Sequence, residues 1–241
     1  DLVADGNVNI HGTLVQNNTA SKLYVYGDIF WHPGSSASAT GSATIYVEGI
    51  WEFFNGAEVF LNSGYVDFFG GSPGYVRSKD DDSYFNHIRN NKSGTELGHS
   101  SQSTFPWRMQ GNLYIYSNCE LTSYSNHDII IGNYVNNMSG AIHLDNGTFV
   151  FDGFSGTSNF IAGDYFNNLT ISSTGVTIFD DDILINGDLL IESGALNPGS
   201  TTITILGDWT NNVGLAGFVE STGRVIFNGP GHQYIYGDEQ F

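Results

Sequence analysis

One strand-and-turn pattern recurs along this chain, and it constrains the fold more than any single residue does. A glycine followed by Asn or Asp and a short run of alternating apolar residues begins at Gly6, Gly111 and Gly187. In each case a second such glycine follows 20 or 21 residues later, at Gly27, Gly132 and Gly207. Repeats this regular are typical of solenoids, in which each coil of the chain pairs with the next one.

The composition favours strands over helices. The chain has 31 Gly in 241 residues, about twice the usual share, together with 17 Phe and 13 Tyr. Apolar and polar residues alternate in many short runs, such as residues 148–152, and no stretch keeps helical apolar spacing for three turns. We therefore predict an all-β protein, a parallel β-solenoid (β-helix) with coils of roughly 20 residues. A meandering antiparallel sandwich is the main alternative, with hairpin turns at Asn146-Gly147 and Ser63-Gly64.

The whole chain, residues 1–241, is predicted to form a single elongated domain, because a solenoid grows by adding coils. Similar glycine-bounded runs begin at Gly64, Gly147 and Gly223. Aligning these runs divides the chain into three divergent units, about 6–110, 111–186 and 187–241, the last of them truncated.

The predicted core is one long column of alternating apolar residues, such as Phe149, Phe151 and Ile203. In the same alignment Phe241 matches Phe166, so the chain ends and restarts inside one unit. We expect both ends to expose unpaired strand edges, which further repeats or another subunit would continue end to end.

Charge narrows the range of partners. The chain carries 25 acidic and 7 basic residues, for a net charge of -18. This argues against nucleic-acid binding, which needs a basic face, and suits a protein with an exposed, soluble surface that attracts divalent cations. Cys119 is the only cysteine, so no internal disulfide is expected. Neither a signal peptide nor a membrane span is visible, so we expect any targeting signal to lie elsewhere.

The last part of the chain carries a family resemblance. GDLLIESGALNPGSTTITILGDWTNNVG, followed by STGRVIFNGPGHQYIYGDEQF, resembles the β-helical repeat regions of very large secreted surface proteins of Gram-negative bacteria, including adhesin-like proteins and type IX secretion cargo. The resemblance extends from about Gly6 to Phe241 and is weakest between Arg77 and Arg108. It implies an extracellular, cell-surface or secreted location and a structural or adhesive role. The C-terminal sorting domain usual in such cargo is not visible.

The segment that departs most from the repeat holds five of the seven basic residues: Arg77, Lys79, Arg89, Lys92 and Arg108. Polysaccharide lyases and hydrolases also use the parallel β-helix, so the alternative function is a carbohydrate-active or carbohydrate-binding β-helix that recognises surface polysaccharide. Its candidate contacts are the aromatic residues Trp107, Tyr84 and Trp31 as sugar-stacking platforms, with Arg89 and Arg108 as polar partners. The simpler interpretation is a solvated, decorating loop.

Two acidic runs are candidate metal ligands: Asp80, Asp81 and Asp82, and Asp180, Asp181 and Asp182. Carboxylate and carbonyl oxygens at such turns suit Ca²⁺, although the spacing matches neither an EF-hand nor the nonapeptide calcium repeat. No other cofactor is predicted, and the dispersed histidines show no transition-metal spacing.

The sequence therefore predicts a non-catalytic structural or adhesive solenoid. A third, weaker alternative is an ice- or surface-binding face made of threonine ladders such as Thr201, Thr202 and Thr204.

Overall fold

The chain folds into a parallel β-solenoid, as predicted. The structure is a computed structural model in which residues 1–239 are described, and these residues wind through about 11 turns with stacked coils about 22 residues apart. All strand pairings in this part of the chain are parallel, so the antiparallel sandwich is wrong. Gly64 and Gly147 do adopt positive φ angles of 82° and 70°, but these corners join strands of neighbouring faces and not the two arms of a hairpin.

The strands of the first six coils are β1 (Leu2–Ala4), β2 (Val8–Ile10), β3 (Thr13–Gln16), β4 (Lys22–Val25), β5 (Ile29–Trp31), β6 (Ser36–Ala39), β7 (Thr44–Val47), β8 (Ile50–Phe53), β9 (Glu58–Val59), β10 (Tyr65–Gly70), β11 (Gly74–Ser78), β12 (His87–Lys92), β13 (Glu96–His99), β14 (Trp107–Met109), β15 (Leu113–Ile115), β16 (Glu120–Ser123) and β17 (Ile129–Ile131). The remaining strands are β18 (Val135–Asn137), β19 (Ala141–His143), β20 (Thr148–Asp152), β21 (Gly156–Ser158), β22 (Tyr165–Phe166), β23 (Asn168–Phe179), β24 (Ile183–Ile185), β25 (Leu189–Asn197), β26 (Thr202–Ile205), β27 (Trp209–Asn211), β28 (Arg224–Phe227) and β29 (Ile235–Tyr236).

The strands form three faces. Face 1 begins with the sheet β1-β4-β7-β10-β12-β15-β18 and continues through β21 and the second halves of β23 and β25. Face 2 is one uninterrupted sheet of 11 strands, β2-β5-β8-β11-β13-β16-β19-β22-β24-β26-β28. Face 3 begins with β3-β6-β9 and continues, through isolated bridges at Tyr84 and Phe85, into β14-β17-β20-β23-β25-β27-β29. The strands β23 and β25 are long because each runs from face 3 around the corner into face 1.

The core is one column of inward side chains that follows the solenoid axis. Phe149 and Phe151 are buried, as predicted from their alternation with polar residues. The column includes four fully buried tryptophans: Trp31, Trp51, Trp107 and Trp209. Burying each large apolar side chain contributes about 1.5–3 kcal/mol, so the stacked column is the main source of stability. Val8, Ile10, Val225 and Phe227, in the end coils, pack against this column but are only partly buried.

The recurring Gly-Asn or Gly-Asp pair joins the corners of successive coils through hydrogen bonds. Asn7 Oδ1 accepts a hydrogen bond from the backbone N–H of Asp28 at 2.9 Å, and Asp28 Oδ1 accepts one from Ile50 at 2.8 Å. A Cβ atom on Gly27 would lie 2.6 Å from Asn7 Oδ1, and one on Gly49 would lie 2.2 Å from Asp28 Oδ1. Glycine is therefore required where the side-chain oxygen of the preceding coil passes.

A second ladder of the same kind, which we call the C-terminal corner ladder, consists of Asn168, Asp188 and Asp208. Asn168 Oδ1 accepts the N–H of Asp188 at 2.8 Å, Asp188 Oδ1 that of Asp208 at 2.7 Å, and Asp208 Oδ1 that of Tyr234 at 2.9 Å. The motif that predicted the coil period is therefore a hydrogen-bonded contact between successive coils.

The three-unit alignment does not follow the stacking of the coils. The matched runs from Gly64, Gly147 and Gly223 form β10, β20 and β28, which lie on faces 1, 3 and 2. The element that the matched runs share is thus one strand with its corner, and the division into units 6–110, 111–186 and 187–241 aligns strands of different faces. Phe241, which the alignment matched to Phe166, lies outside the described residues.

Candidate functional site

The two predicted tryptophan platforms are buried, so that part of the carbohydrate hypothesis is wrong. Trp31 and Trp107 both have 0% exposure and point into the core column. The Trp31 ring packs 5.3 Å from that of Trp51, and the Trp107 ring packs 6.3 Å from that of Phe85. Neither indole offers a face to a ligand in solvent.

Tyr84 and Arg108 do lie on the surface, on face 3. Arg108 Nη2 is 3.0 Å from Asp81 Oδ1, and the hydroxyl of Tyr84 donates a hydrogen bond to Asn62. With Gln110 and the neighbouring coils they line an open groove of about 410 Å³. The ion pair between Arg108 and Asp81 is exposed, so it contributes little to stability.

Arg89 lies on a different face from Arg108, so the structure does not bring the two together. It belongs to face 1, where its guanidinium carbon stacks 3.7 Å from the centre of the Tyr65 ring. It also lies beside the buried Asp67, whose pKa is raised to about 6 by burial and is partly lowered again by the charge of Arg89. Arg89 therefore compensates a buried carboxyl group and packs on an aromatic ring.

In the first acidic run the carboxylates of Asp80 and Asp81 accept protein hydrogen bonds, and Asp82 is exposed. Asp80 is buried, and its two carboxylate oxygens accept the backbone N–H groups of Ser83 at 2.9 Å, Asp82 at 3.1 Å and Gly56 at 2.8 Å. Asp81 pairs with Arg108. This run therefore fixes its own turn and ties it to the preceding coil.

The second acidic run behaves in the same way. Asp180 Oδ1 accepts the N–H of Phe160 at 2.8 Å, Asp181 Oδ1 that of Asp182 at 2.7 Å, and Asp182 Oδ1 that of Thr202 at 2.6 Å. In residues 1–239 no group of three or more His, Cys, Asp or Glu side chains is placed so that it could hold a metal ion.

The threonine ladder of the third alternative does not form. Thr201 is buried, and Thr204 stacks between Leu184 and Ile226 on face 2. The outward column at this position is mixed, so it lacks the repeated hydroxyl spacing of a threonine face.

A fully buried lysine, which the sequence did not single out as structural, joins three coils. Lys92 Nζ donates hydrogen bonds to the backbone carbonyls of Phe69, at 2.7 Å, and of Glu48. Burial lowers the pKa of Lys92 to about 8, against the attraction of the Glu48 carboxylate. Gly74 makes room for it, because a Cβ there would lie 3.1 Å from Lys92 Cε.

Face 2 carries an open cleft of about 310 Å³ that the sequence did not reveal. Its lining residues are Tyr75, Arg77, Ser100, Ser101 and Tyr124, and we call it the face 2 cleft. The two tyrosine rings are 6.3 Å apart and inclined at 55°. Tyr75 lies against the backbone of Gly98, where an added Cβ would be 3.0 Å from the ring.

One carboxylate fixes both tyrosines of the cleft. Glu96 Oε1 accepts a hydrogen bond from the Tyr75 hydroxyl at 2.8 Å, and Glu96 Oε2 accepts one from the Tyr124 hydroxyl at 2.6 Å and one from Thr122 Oγ1 at 3.3 Å. The hydrogen bond to Glu96, followed by burial, raises the pKa of Tyr124 to about 12. Burial, followed by the same carboxylate, raises the pKa of Tyr75. Both hydroxyls therefore stay protonated and remain bound to Glu96 at neutral pH.

Comparison with known proteins gives no family for the chain: no family model, no curated protein and no solved structure matches it. Within residues 1–239 there is no helix with the length and apolar character needed to cross a membrane.

Proposed function

We propose that this chain is a non-catalytic scaffold and adhesion module of an extracellular protein, which displays contact groups along a stiff solenoid. The observation that carries the proposal is the unbroken column of inward side chains beneath the continuous sheet of face 2, which is buried from β5 to β26 and partly buried at the end strands β2 and β28. Eleven coils at a strand spacing of about 4.8 Å give a body roughly 50 Å long, with neighbouring coils covering each other throughout.

The charge supports an exposed role for this body. A net charge of -18 on 241 residues keeps neighbouring molecules apart and favours solubility at high local density. The corner ladders and acidic turns place many of these carboxylates at corners, where they stabilise the stacking of coils.

The partner that we propose for the two end surfaces is another parallel β-coil. Exposed large apolar side chains in the described residues concentrate in the first coil and near the last one: Leu2, Val3, Val15, Val213, Leu215, Tyr234, Ile235 and Tyr236. A strand edge with alternating apolar residues accepts a further parallel strand, which would satisfy its backbone groups and cover these side chains.

The location can be tested with an antibody raised against the chain. We expect it to label intact source cells or their medium. The continuous scaffold is tested separately by hydrogen exchange of the purified chain, which should show protection from β4 to β27. Labelling that requires permeabilised cells would overturn the extracellular role. Rapid exchange in the middle coils would overturn the continuous scaffold.

The stacking can be tested by sedimentation velocity over a wide concentration range. We expect assemblies that lengthen with concentration and that are lost in Leu2→Asp, because Leu2 continues the inward column of Leu23 and is exposed only at the end of the solenoid. Tyr26→Asp, which changes an exposed side chain away from the end surfaces, should leave them intact. If native material instead contains a chain longer than 241 residues with further coils, the proposed coil partner is covalent. Single solenoids at every concentration, from native chains of this length, would refute the stacking.

A further inference from the structure

We propose that the face 2 cleft binds one neutral pyranose unit of a glycan chain. This inference deepens the adhesive role, and rests on it, by naming the kind of ligand and the residues that hold it. The cleft lies in the middle of the solenoid, away from the end surfaces. Arg77, Ser100 and Ser101 belong to the segment that the sequence singled out, but none of the lining residues is one of the sugar contacts proposed from the sequence.

Two tyrosine rings, those of Tyr75 and Tyr124, form the walls of the cleft. Away from the end coils, the exposed large apolar side chains of residues 1–239 are Tyr26 and Tyr124, and Tyr124 is 47% exposed. Its ring and that of Tyr75 form two inclined walls above the sheet. An aromatic face is apolar and carries negative charge density, so it packs well against the C–H face of a pyranose ring.

The cleft is organised before any ligand arrives. Glu96 holds the hydroxyls of Tyr75 and Tyr124, and its second oxygen also accepts a hydrogen bond from Thr122. Because both rings are already fixed, binding loses little side-chain entropy. The hydroxyls are bound to Glu96, which leaves the ring faces as the surfaces offered to a ligand.

The polar groups suit sugar hydroxyls. Arg77 lies at one side of the cleft with 23% of its side chain exposed, and its guanidinium carries more donors than its single bond to Glu52 uses. The hydroxyls of Ser100 and Ser101 can each donate and accept, as sugar hydroxyls do.

The local charge favours a neutral ligand. Arg77 and Lys79 both pair with the buried Glu52, at 3.3 Å and 2.5 Å, and Glu96 lies on the other side of Tyr75. Two cations and two carboxylates leave this patch balanced on a chain whose net charge is -18. Its volume of about 310 Å³ is at the lower end of the range for small-molecule sites, about 300–1,000 Å³, which suits one sugar ring. Because the cleft is open, the glycan chain can continue beyond it.

The test is isothermal titration of the chain with neutral hexasaccharides of glucose, xylose, mannose and N-acetylglucosamine, and with a hexamer of galacturonic acid. We expect at least one neutral hexasaccharide to bind with a micromolar to millimolar dissociation constant. Tyr124→Ala should weaken that binding at least tenfold, and Ser101→Leu, which fills the open side of the cleft, should weaken it to a similar extent. Tyr124→Phe keeps the ring but loses the bond to Glu96, so we expect a smaller loss. Tyr26→Ala, the exposed tyrosine on another part of the surface, is the matched control and should bind as the original chain does.

Three results would overturn the assignment: no hexasaccharide binds, the galacturonate hexamer binds best, or Tyr124→Ala and Ser101→Leu bind as well as Tyr26→Ala. Hydrogen exchange on the same samples separates this failure from that of the scaffold proposal. A continuously protected solenoid that binds no sugar refutes the cleft alone. Specific binding by a chain that antibodies reach only in permeabilised cells refutes the extracellular location and leaves the cleft in place.

Discussion

The central coils, residues 50–110, and the C-terminal coils, residues 182–211, solve the same stacking problem in different ways. In the C-terminal coils Leu184 pairs with Thr204, one 20-residue coil later, and most inward positions are aliphatic, with Trp209 and Asn211 as the exceptions in the last of these strands. In the central coils Trp51 pairs with Val76 after 25 residues. The extra residues in each central coil form wider corners.

The central coils bury more polar groups. Asp67 lies between Tyr46 and Arg89 in β10, Asp80 lies in a corner, and Lys92 and His99 end β12 and β13; each of the four acidic or basic residues has at most 6% exposure. Burying a charged or polar group is unfavourable unless it finds partners, and Asp80 and Lys92 find them in backbone groups of neighbouring coils. A mostly aliphatic column with corner ladders is therefore enough to stack the C-terminal coils, while the longer central coils leave room for a cleft such as the one on face 2.

The largest effect should come from a charge in the aliphatic column. Ile203 is fully buried, whereas its neighbour Thr204 points outward. Ile203→Asp should destabilise the fold by more than about 4 kcal/mol, because a buried carboxylate without a partner is strongly unfavourable. Thr204→Asp, the matched control, should change the free energy of unfolding by less than about 1 kcal/mol. Urea unfolding followed by circular dichroism measures both, and equal midpoints would break the assignment of inward and outward positions.

The next effect tests the polar interior of the central coils. Asp80→Ala removes the acceptor of three backbone N–H groups, so we expect a loss of about 3 kcal/mol. Asp81→Ala, one residue along and exposed, should cost less than about 0.5 kcal/mol. The same unfolding measurement applies. If the two variants are equally stable, the buried carboxylate does not hold its corner.

The sequence predicted the strands and the coil but not the faces. Phe149 and Phe151 could be placed inside because alternation decides the direction of a side chain within one strand. The three strands of a coil share that alternation, so runs on different faces looked alike and produced the three-unit alignment. Trp31 was predicted to be an exposed sugar platform. It lies two residues after Ile29 in β5, so both side chains point to the same, inward side of the strand.

The face 2 cleft could not be predicted from the sequence for a different reason. Tyr75, Gly98 and Tyr124 are brought together only when the register of two unequal coils is known, since Tyr75 pairs with Gly98 and Gly98 with Thr122. No spacing in the sequence gives those coil lengths, because the extra residues lie in irregular corners.

The third prediction concerns the stability of the fold at acidic pH. His99 is fully buried, and burial lowers its pKa to about 4, so the unfolded chain, with a histidine pKa of 6.5, binds more protons between those values. Stability should therefore fall as the pH falls, by about 2 kcal/mol between pH 6.5 and 5. Asp67, with its pKa raised to about 6, works in the opposite direction below pH 6. The measurement is thus the difference between the original chain and His99→Leu, in which Asp67 is unchanged. A difference that does not vary between pH 7 and 5 would contradict the buried, neutral histidine.

The smallest effect tests the C-terminal corner ladder, which the central coils partly replace with buried polar groups. Asp188 Oδ1 accepts the backbone N–H of Asp208 at 2.7 Å, and Asp208 occupies the equivalent place in the next coil. Asp188→Ala leaves that N–H to water and should cost about 1 kcal/mol. Asp188→Asn keeps an acceptor and removes the repulsion between two stacked carboxylates, so it should be neutral or stabilising by about 0.5 kcal/mol at low salt. Added salt should reduce the gain from Asn and leave the loss from Ala unchanged, because only the first is a charge effect. If Ala and Asn behave alike at every salt concentration, the side-chain oxygen is not what joins these coils.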